Sequence, residues 1–198
     1  FFTKGKAYYS PGELHESQVR WLKQDLALTP KDKKVILCYH IPFTFGNVPY
    51  KKAQPLSIAS EKGHYSSSRL TQLLSLLKEF QGGYELFCGH THFACNHEIN
   101  HNGEQVMEHC HAAACGNIWQ SNINICGTPN GYYIYSFVGT RISDCYYKGT
   151  FWDKSKQMTI FRAQTDFNGE SYAEDWNLQK DKNVLIANVF NADSHWRV

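Results

Sequence analysis

The chain has 198 residues, 42% hydrophobic and 15% aromatic, which is enough apolar material for a packed core and excludes an intrinsically disordered chain. Its net charge is only +2, and neither half carries a run of lysine or arginine; backbone binding to nucleic acid needs clustered cations, so nucleic acid is not the expected partner. No apolar stretch approaches the roughly 20 residues that cross a bilayer.

The first residues, Phe1-Phe2-Thr3-Lys4-Gly5-Lys6, lack the positive start and apolar core of a signal peptide. Residues 1–13 read as a strand or hairpin already under way, with Pro11-Gly12 as a turn. From Ser17 to Leu28 the apolar positions Val19, Leu22 and Leu26 make a helical stripe flanked by Trp21, and Thr29-Pro30 ends it. A basic turn, Lys31 to Lys34, feeds the strand Val35 to Tyr39, whose continuous apolar run suits a sheet covered on both faces. Pro42 to Gly63 holds three prolines and little periodicity, and reads as a long loop of the kind that commonly carries function. Its Phe43, Phe45 and Tyr50 either wall a pocket or cap the core edge.

Ser66 to Phe80 gives the clearest helix, with Leu70, Leu73, Leu74, Leu77 and Phe80 on one face and Gln81-Gly82-Gly83 closing it. The strand Tyr84 to Cys88 follows, so the order of elements is an α/β one. After His92 the texture turns to β: strands are expected over Val106–Cys110, Tyr132–Val138, Arg141–Tyr147, Gln157–Arg162 and Val184–Phe190. Turns at Asn102-Gly103, Asn130-Gly131, Gly139 and Asn168-Gly169 separate them. The last strand stops eight residues short of the final residue; both ends read as interrupted, and we expect a piece of a longer protein.

Seven cysteines are an odd number, so at least one is unpaired within the chain. Cys38 and Cys88 lie inside apolar strands and are expected to behave as small buried hydrophobes. Cys110, Cys115 and Cys126 are close enough to permit a disulfide without compelling one, and without any Cys-x-x-Cys pair a zinc ribbon is not indicated.

The chemistry concentrates at two strand ends. Tyr84-Glu85-Leu86-Phe87-Cys88 runs into Gly89-His90-Thr91-His92, and Val35-Ile36-Leu37-Cys38 runs into Tyr39-His40-Ile41-Pro42. Loops at the carboxyl ends of sheet strands line the ligand crevice of α/β proteins, and histidine is the commonest transition-metal ligand. Gly89 offers backbone freedom for a sharp turn that aims both imidazoles. A single histidine after a strand is ordinarily structural; two such strands together point to one metal site.

These residues resemble a known family. Gly89-His90-Thr91-His92 looks like the last signature of the calcineurin-like metallophosphoesterases, and Tyr39-His40-Ile41-Pro42 like their preceding isolated histidine. The helix around Ser17–Leu26 resembles the one before that histidine strand, and Gly127-Thr128-Pro129-Asn130-Gly131-Tyr132 the opening of the C-terminal domain in a bacterial, often exported branch. The resemblance implies an α/β fold, part of a four-layer αββα sandwich, with residues 1–139 the later part of the phosphoesterase domain. Strands before residue 139 would complete a second sheet, and 140–198 would begin a small β domain. It implies two divalent metal ions (Mn, Fe or Zn) and a phosphate mono- or diester as substrate. His40 and His90 would bind one metal and His92 the other, and Asn117 and Trp119, in a segment like one that follows the family's metal motif, would border the substrate. His64, near the end of the long loop, is a further candidate read from its position alone.

The family's Asp-x-His, Gly-Asp-x-x-Asp and Gly-Asn-His motifs have no counterpart; Gly116-Asn117 continues with Ile118. The bridging carboxylate and the catalytic acid would lie upstream of Phe1, and this chain alone is expected to be inactive. Two other readings stand beside this one: a non-catalytic binding or scaffold module on the same fold, and a mononuclear zinc hydrolase using His40, His90 and His92. Of the other histidines, His97 and His101 flank a turn and are expected to face solvent. His109 and His111 either ligate a metal or serve as structural pocket wall, and His195 carries no information.

Overall fold

The computed structural model describes residues 14–43, 67–92, 94–116, 121–124, 126–163, 166–167, 170–171 and 183–193. Helix α1 (Glu16–Ala27) starts where the Gln18 side chain turns back to accept from the His15 backbone N–H at 2.8 Å. Its buried residues are Val19, Leu22 and Leu26, the stripe expected from the spacing, while Trp21 stays exposed. Helix α2 (Ser67–Leu77) is shorter than the sequence suggests but uses the expected face: Leu70, Leu73, Leu74 and Leu77 are each at most 2% exposed. Fully burying one such leucine is worth about 1.5–3 kcal/mol, so this face anchors the helix by itself.

Strands β1 (Val35–Cys38), β2 (Tyr84–Cys88), β3 (Cys95–His101) and β4 (Glu104–Cys110) form one sheet in the order β1-β2-β4-β3. β1, β2 and β4 run parallel, and β3 returns antiparallel to β4. β4 therefore extends the sheet of β1 and β2 rather than opening a second one. Gly82 has to be glycine here: a Cβ would lie 2.5 Å from the backbone of Lys33 and Lys34, where the basic turn feeds β1. Both helices pack on one face of this sheet, in a core that joins Leu22, Leu26, Leu74 and Leu77 to Leu86, Ile99 and Val106.

The sheet is not covered on both faces along β1. Val35 and Leu37 pack against the core, while Ile36 is 45% exposed and Cys38 is exposed as well, so period-2 alternation holds despite the apolar run. Cys38 is therefore no buried hydrophobe; Cys88 is. All seven cysteines are free thiols.

Beyond this sheet, β5 (Gly131–Val138) and β6 (Arg141–Gly149) form a hairpin turned at Gly139, so the strands flanking residue 139 are hydrogen-bonded partners. β7 (Met158–Arg162) pairs antiparallel with β10 (Leu185–Val189), and the short β8 (Asp166–Phe167) and β9 (Glu170–Ser171) pair with each other. A second core gathers Ala112, Tyr147 and Phe190 with Ala94 and Tyr133 against them. The expected hairpin over 1–13, and Phe45, Tyr50, His64, Asn117, Trp119 and His195, lie outside the described residues. Among the described residues no helix is long and apolar enough to cross a membrane.

Candidate metal centre

The parallel ladder brings two histidines together that are 50 positions apart in sequence. Tyr39 N donates to Phe87 O at 3.0 Å and Gly89 N to His40 O at 3.1 Å, so the pairing of β1 with β2 continues past both strand ends. At that point His40 Nε2 and His90 Nδ1 are 2.9 Å apart, with ring centroids 4.8 Å apart and the planes at 79°. One nitrogen of such a pair donates a proton and the other accepts it.

The turn that aims these rings is not made at Gly89. His90 and His92 themselves take left-handed conformations, at φ 67° and 59°. Gly89 has no positive φ, and a Cβ there would meet nothing within 4 Å. Each left-handed non-glycine residue costs on the order of 1–3 kcal/mol, and such strain collects at ligand-binding positions. His92 turns its Nδ1 to the Gly116 carbonyl at 3.1 Å. Burial lowers the affinity of His90 for a proton, and the neighbouring His40 and His92 lower it further, so its imidazole is held in the neutral, ligating form.

The segment around His40 is held from beneath. Glu108, fully buried on β4, accepts from the Tyr39 hydroxyl at 2.5 Å and from the Phe43 backbone N–H at 2.7 Å. These two donors bracket His40-Ile41-Pro42, and the rings of Tyr39 and Phe43 lie 4.8 Å apart. Phe43 is thus a core residue rather than a pocket wall. Sequence reasoning overlooked Glu108; the signal was a carboxylate at an inward position, in alternation with Val106 and Cys110.

His97 does not face solvent. It is 7% exposed because it lies on the inward face of β3, directly across from Glu108, and its Nε2 is 2.8 Å from Cys95 Sγ. His101 is half-buried, with Nε2 2.8 Å from Thr71 Oγ1. His109 contacts Asn96 Oδ1 at 2.6 Å and Glu85 at 3.7 Å. His111 stacks on Tyr133 and contacts the Tyr135 hydroxyl at 2.8 Å. Burial, and secondarily His109, push the His111 pKa down to about 4. This pair is built into an aromatic cluster with Phe87 and takes the structural role.

Beside the Gly116 loop lies a cleft of about 400 Å³, lined by Ala114, Cys115, Asn122, Asn130, Thr150 and Phe151 among others. Gly116 (φ 65°) is wedged against Ser121 O and Asn130 Oδ1, which a Cβ would meet at 2.2 and 2.3 Å.

The residues present fit a divalent cation in part. Ligand nitrogens about 2.0–2.1 Å from one zinc can lie about 3 Å apart, as those of His40 and His90 do. Among the described residues, however, no group of three or more histidine, cysteine or carboxylate side chains is assembled for a metal.

A mixed α/β chain that sets paired imidazoles at the carboxyl ends of parallel strands has the ligand-site layout of an α/β protein. Residues 108–198 match the family model described as the C terminal of calcineurin-like phosphoesterase, which supports the resemblance to the calcineurin-like metallophosphoesterases. That family generally works with divalent metals. Among curated proteins no relative matches the sequence.

Proposed function

We propose that this chain supplies His40 and His90 to one divalent cation and His92 to a second, in a dinuclear centre that hydrolyses a phosphate mono- or diester. The observation that carries the reading is the approach of His40 Nε2 to His90 Nδ1, just past the ends of two adjacent parallel strands. Bound there, two cations would neutralise phosphate oxygens, acidify a water and stabilise the leaving oxygen. The chain's own work is positional. Glu108 fixes the His40 segment, the left-handed turn presents His90, and the Gly116 carbonyl orients His92 by accepting from its Nδ1, leaving Nε2 to ligate. Carboxylate ligands complete the centre, and His64, Asn117 and Trp119 border the substrate. The four-layer αββα arrangement belongs to the same proposal.

The test measures bound Mn, Fe and Zn by elemental analysis, together with hydrolysis of mono- and diester substrates. It uses the chain extended upstream by the length that would carry the missing carboxylate and asparagine motifs, and the His40→Ala and His90→Ala variants of that longer parent. Metal bound by the parent and lost from both variants is the expected result. Metal retained in both variants refutes the assignment, and a parent that binds none favours the non-catalytic module.

A further inference from the structure

Three cysteines stand side by side on neighbouring strands beneath the histidine turn. Cys88 of β2 pairs with Cys110 of β4, and Cys110 pairs with Cys95 of β3. Cys110 is thus the register partner of both other cysteines. Its thiol lies 3.1 Å from Thr91 Oγ1 and 3.2 Å from Gly89 O, and so touches the loop that presents His90 and His92. Nothing in the reaction proposed above uses these thiols.

The register decides which pair can be joined. The two-residue turn Asn102–Gly103, with both residues at positive φ, makes His101 and Glu104 a hydrogen-bonded pair. Counting back along the strands, alternate pairs are hydrogen-bonded, and Cys95 with Cys110 is one of them. Cα atoms in such a pair are about 5.5 Å apart, at the commonest separation of disulfide-bonded residues, about 5.5–6 Å. Cys88 is buried and its thiol is directed to the His109 carbonyl at 3.5 Å. Cys95 is partly exposed, and its sulfur lies 2.8 Å from His97 Nε2.

We propose that Cys95 and Cys110 are an oxidative modification site, closing a cross-strand disulfide when hydrogen peroxide reaches Cys95. His97 takes the Cys95 proton as the sulfur attacks a peroxide oxygen; an S–O bond forms, the O–O bond breaks, and the departing hydroxide takes that proton and leaves as water. The Cys110 sulfur then attacks the sulfenic sulfur. An S–S bond forms, the S–O bond breaks, and hydroxide leaves with the Cys110 proton as a second water. Two thiols are oxidised and one peroxide is reduced. The bond draws Cys110 Sγ away from Thr91 and Gly89, so the modification acts at the base of the histidine loop. It stands independently of the proposed hydrolysis.

The protein is treated with hydrogen peroxide, alkylated, and cleaved without reduction after glutamate and after aromatic residues, which places Cys88, Cys95 and Cys110 on separate peptides. Mass spectrometry is expected to find peptide 94–98 joined to peptide 109–119, lighter by two hydrogens than the two thiol peptides together. Cys110→Ala and Cys95→Ala lose this species, and Cys115→Ser keeps it although Cys115 shares a peptide with Cys110. Parent protein that keeps Cys95 and Cys110 alkylatable after peroxide overturns the proposal. So does a link from peptide 88–93 in place of 94–98, or a link that survives Cys110→Ala.

Discussion

Removing the Glu108 carboxylate is the most direct probe of how the chain positions His40. Glu108→Ala leaves the Tyr39 hydroxyl and the Phe43 N–H without the acceptor they share. A buried donor left unsatisfied costs about 1–3 kcal/mol, so the pair predicts a loss of about 2–6 kcal/mol. Set against the usual total of about 5–15 kcal/mol, that is a large share of the stability. Urea unfolding followed by far-UV circular dichroism reads it: with a slope near 2 kcal/mol per molar, the midpoint falls by about 1–3 M at constant slope. Tyr39→Phe removes one of the two donors and is expected to cost less. The two substitutions together should be non-additive by at least about 0.5 kcal/mol, because they share a bond. A Glu108→Ala midpoint within about 0.3 M of the parent would refute the clamp.

Stability should fall on acidification through His111. Its pKa drops from 6.5 to about 4 on folding, so the folded state holds fewer protons; stability present above about pH 6.5 is lost as pH falls towards 4. The whole drop is on the order of 3 kcal/mol, and unfolding midpoints measured between pH 7 and 4 should flatten in His111→Phe. An unchanged pH slope in that variant counts against this source. Gly116→Ala meets both a left-handed φ and backbone contact at Ser121, whereas Gly139→Ala at φ 60° meets only the conformational cost, about 1–2 kcal/mol. Melting temperatures should therefore fall clearly further for Gly116→Ala, and equal shifts would contradict the crowding. Tyr147→Phe deletes the buried hydroxyl's bond to the Pro129 carbonyl and should cost about 1 kcal/mol by chemical denaturation; no loss at all would show that bond to be neutral.

The long apolar stripes were legible in the sequence because burial by helix periodicity needs no tertiary information: Leu22 and Leu26, or Leu70 to Leu77, sit as their spacing requires. Strand β3 was not, since Cys-Asn-His-Glu-Ile-Asn-His is polar enough to pass for loop. Only its register against β4 shows that Cys95, His97 and Ile99 share the inward face. The same gap hid Glu108 and turned His97 outward in expectation, because a charge inside a sheet is invisible until its partners, Tyr39 and Phe43, arrive from another strand. At the histidine motif the residue types were informative and the backbone was not. Glycine looked like the hinge, yet the strain is carried by His90 and His92.

The parallel pairing of β1 with β2 also sets an order of events during folding. The β3–β4 hairpin closes across two residues, whereas His40 and His90 meet across 50 positions. Closing the longer loop costs about 3 kcal/mol more in chain entropy, so the local hairpin forms on the microsecond scale and the parallel pairing comes later. An imidazole pair at the end of that pairing exists in no partly folded form lacking β1 against β2. A cation that needs both rings therefore binds only chains that have finished this step, and its uptake marks the end of assembly.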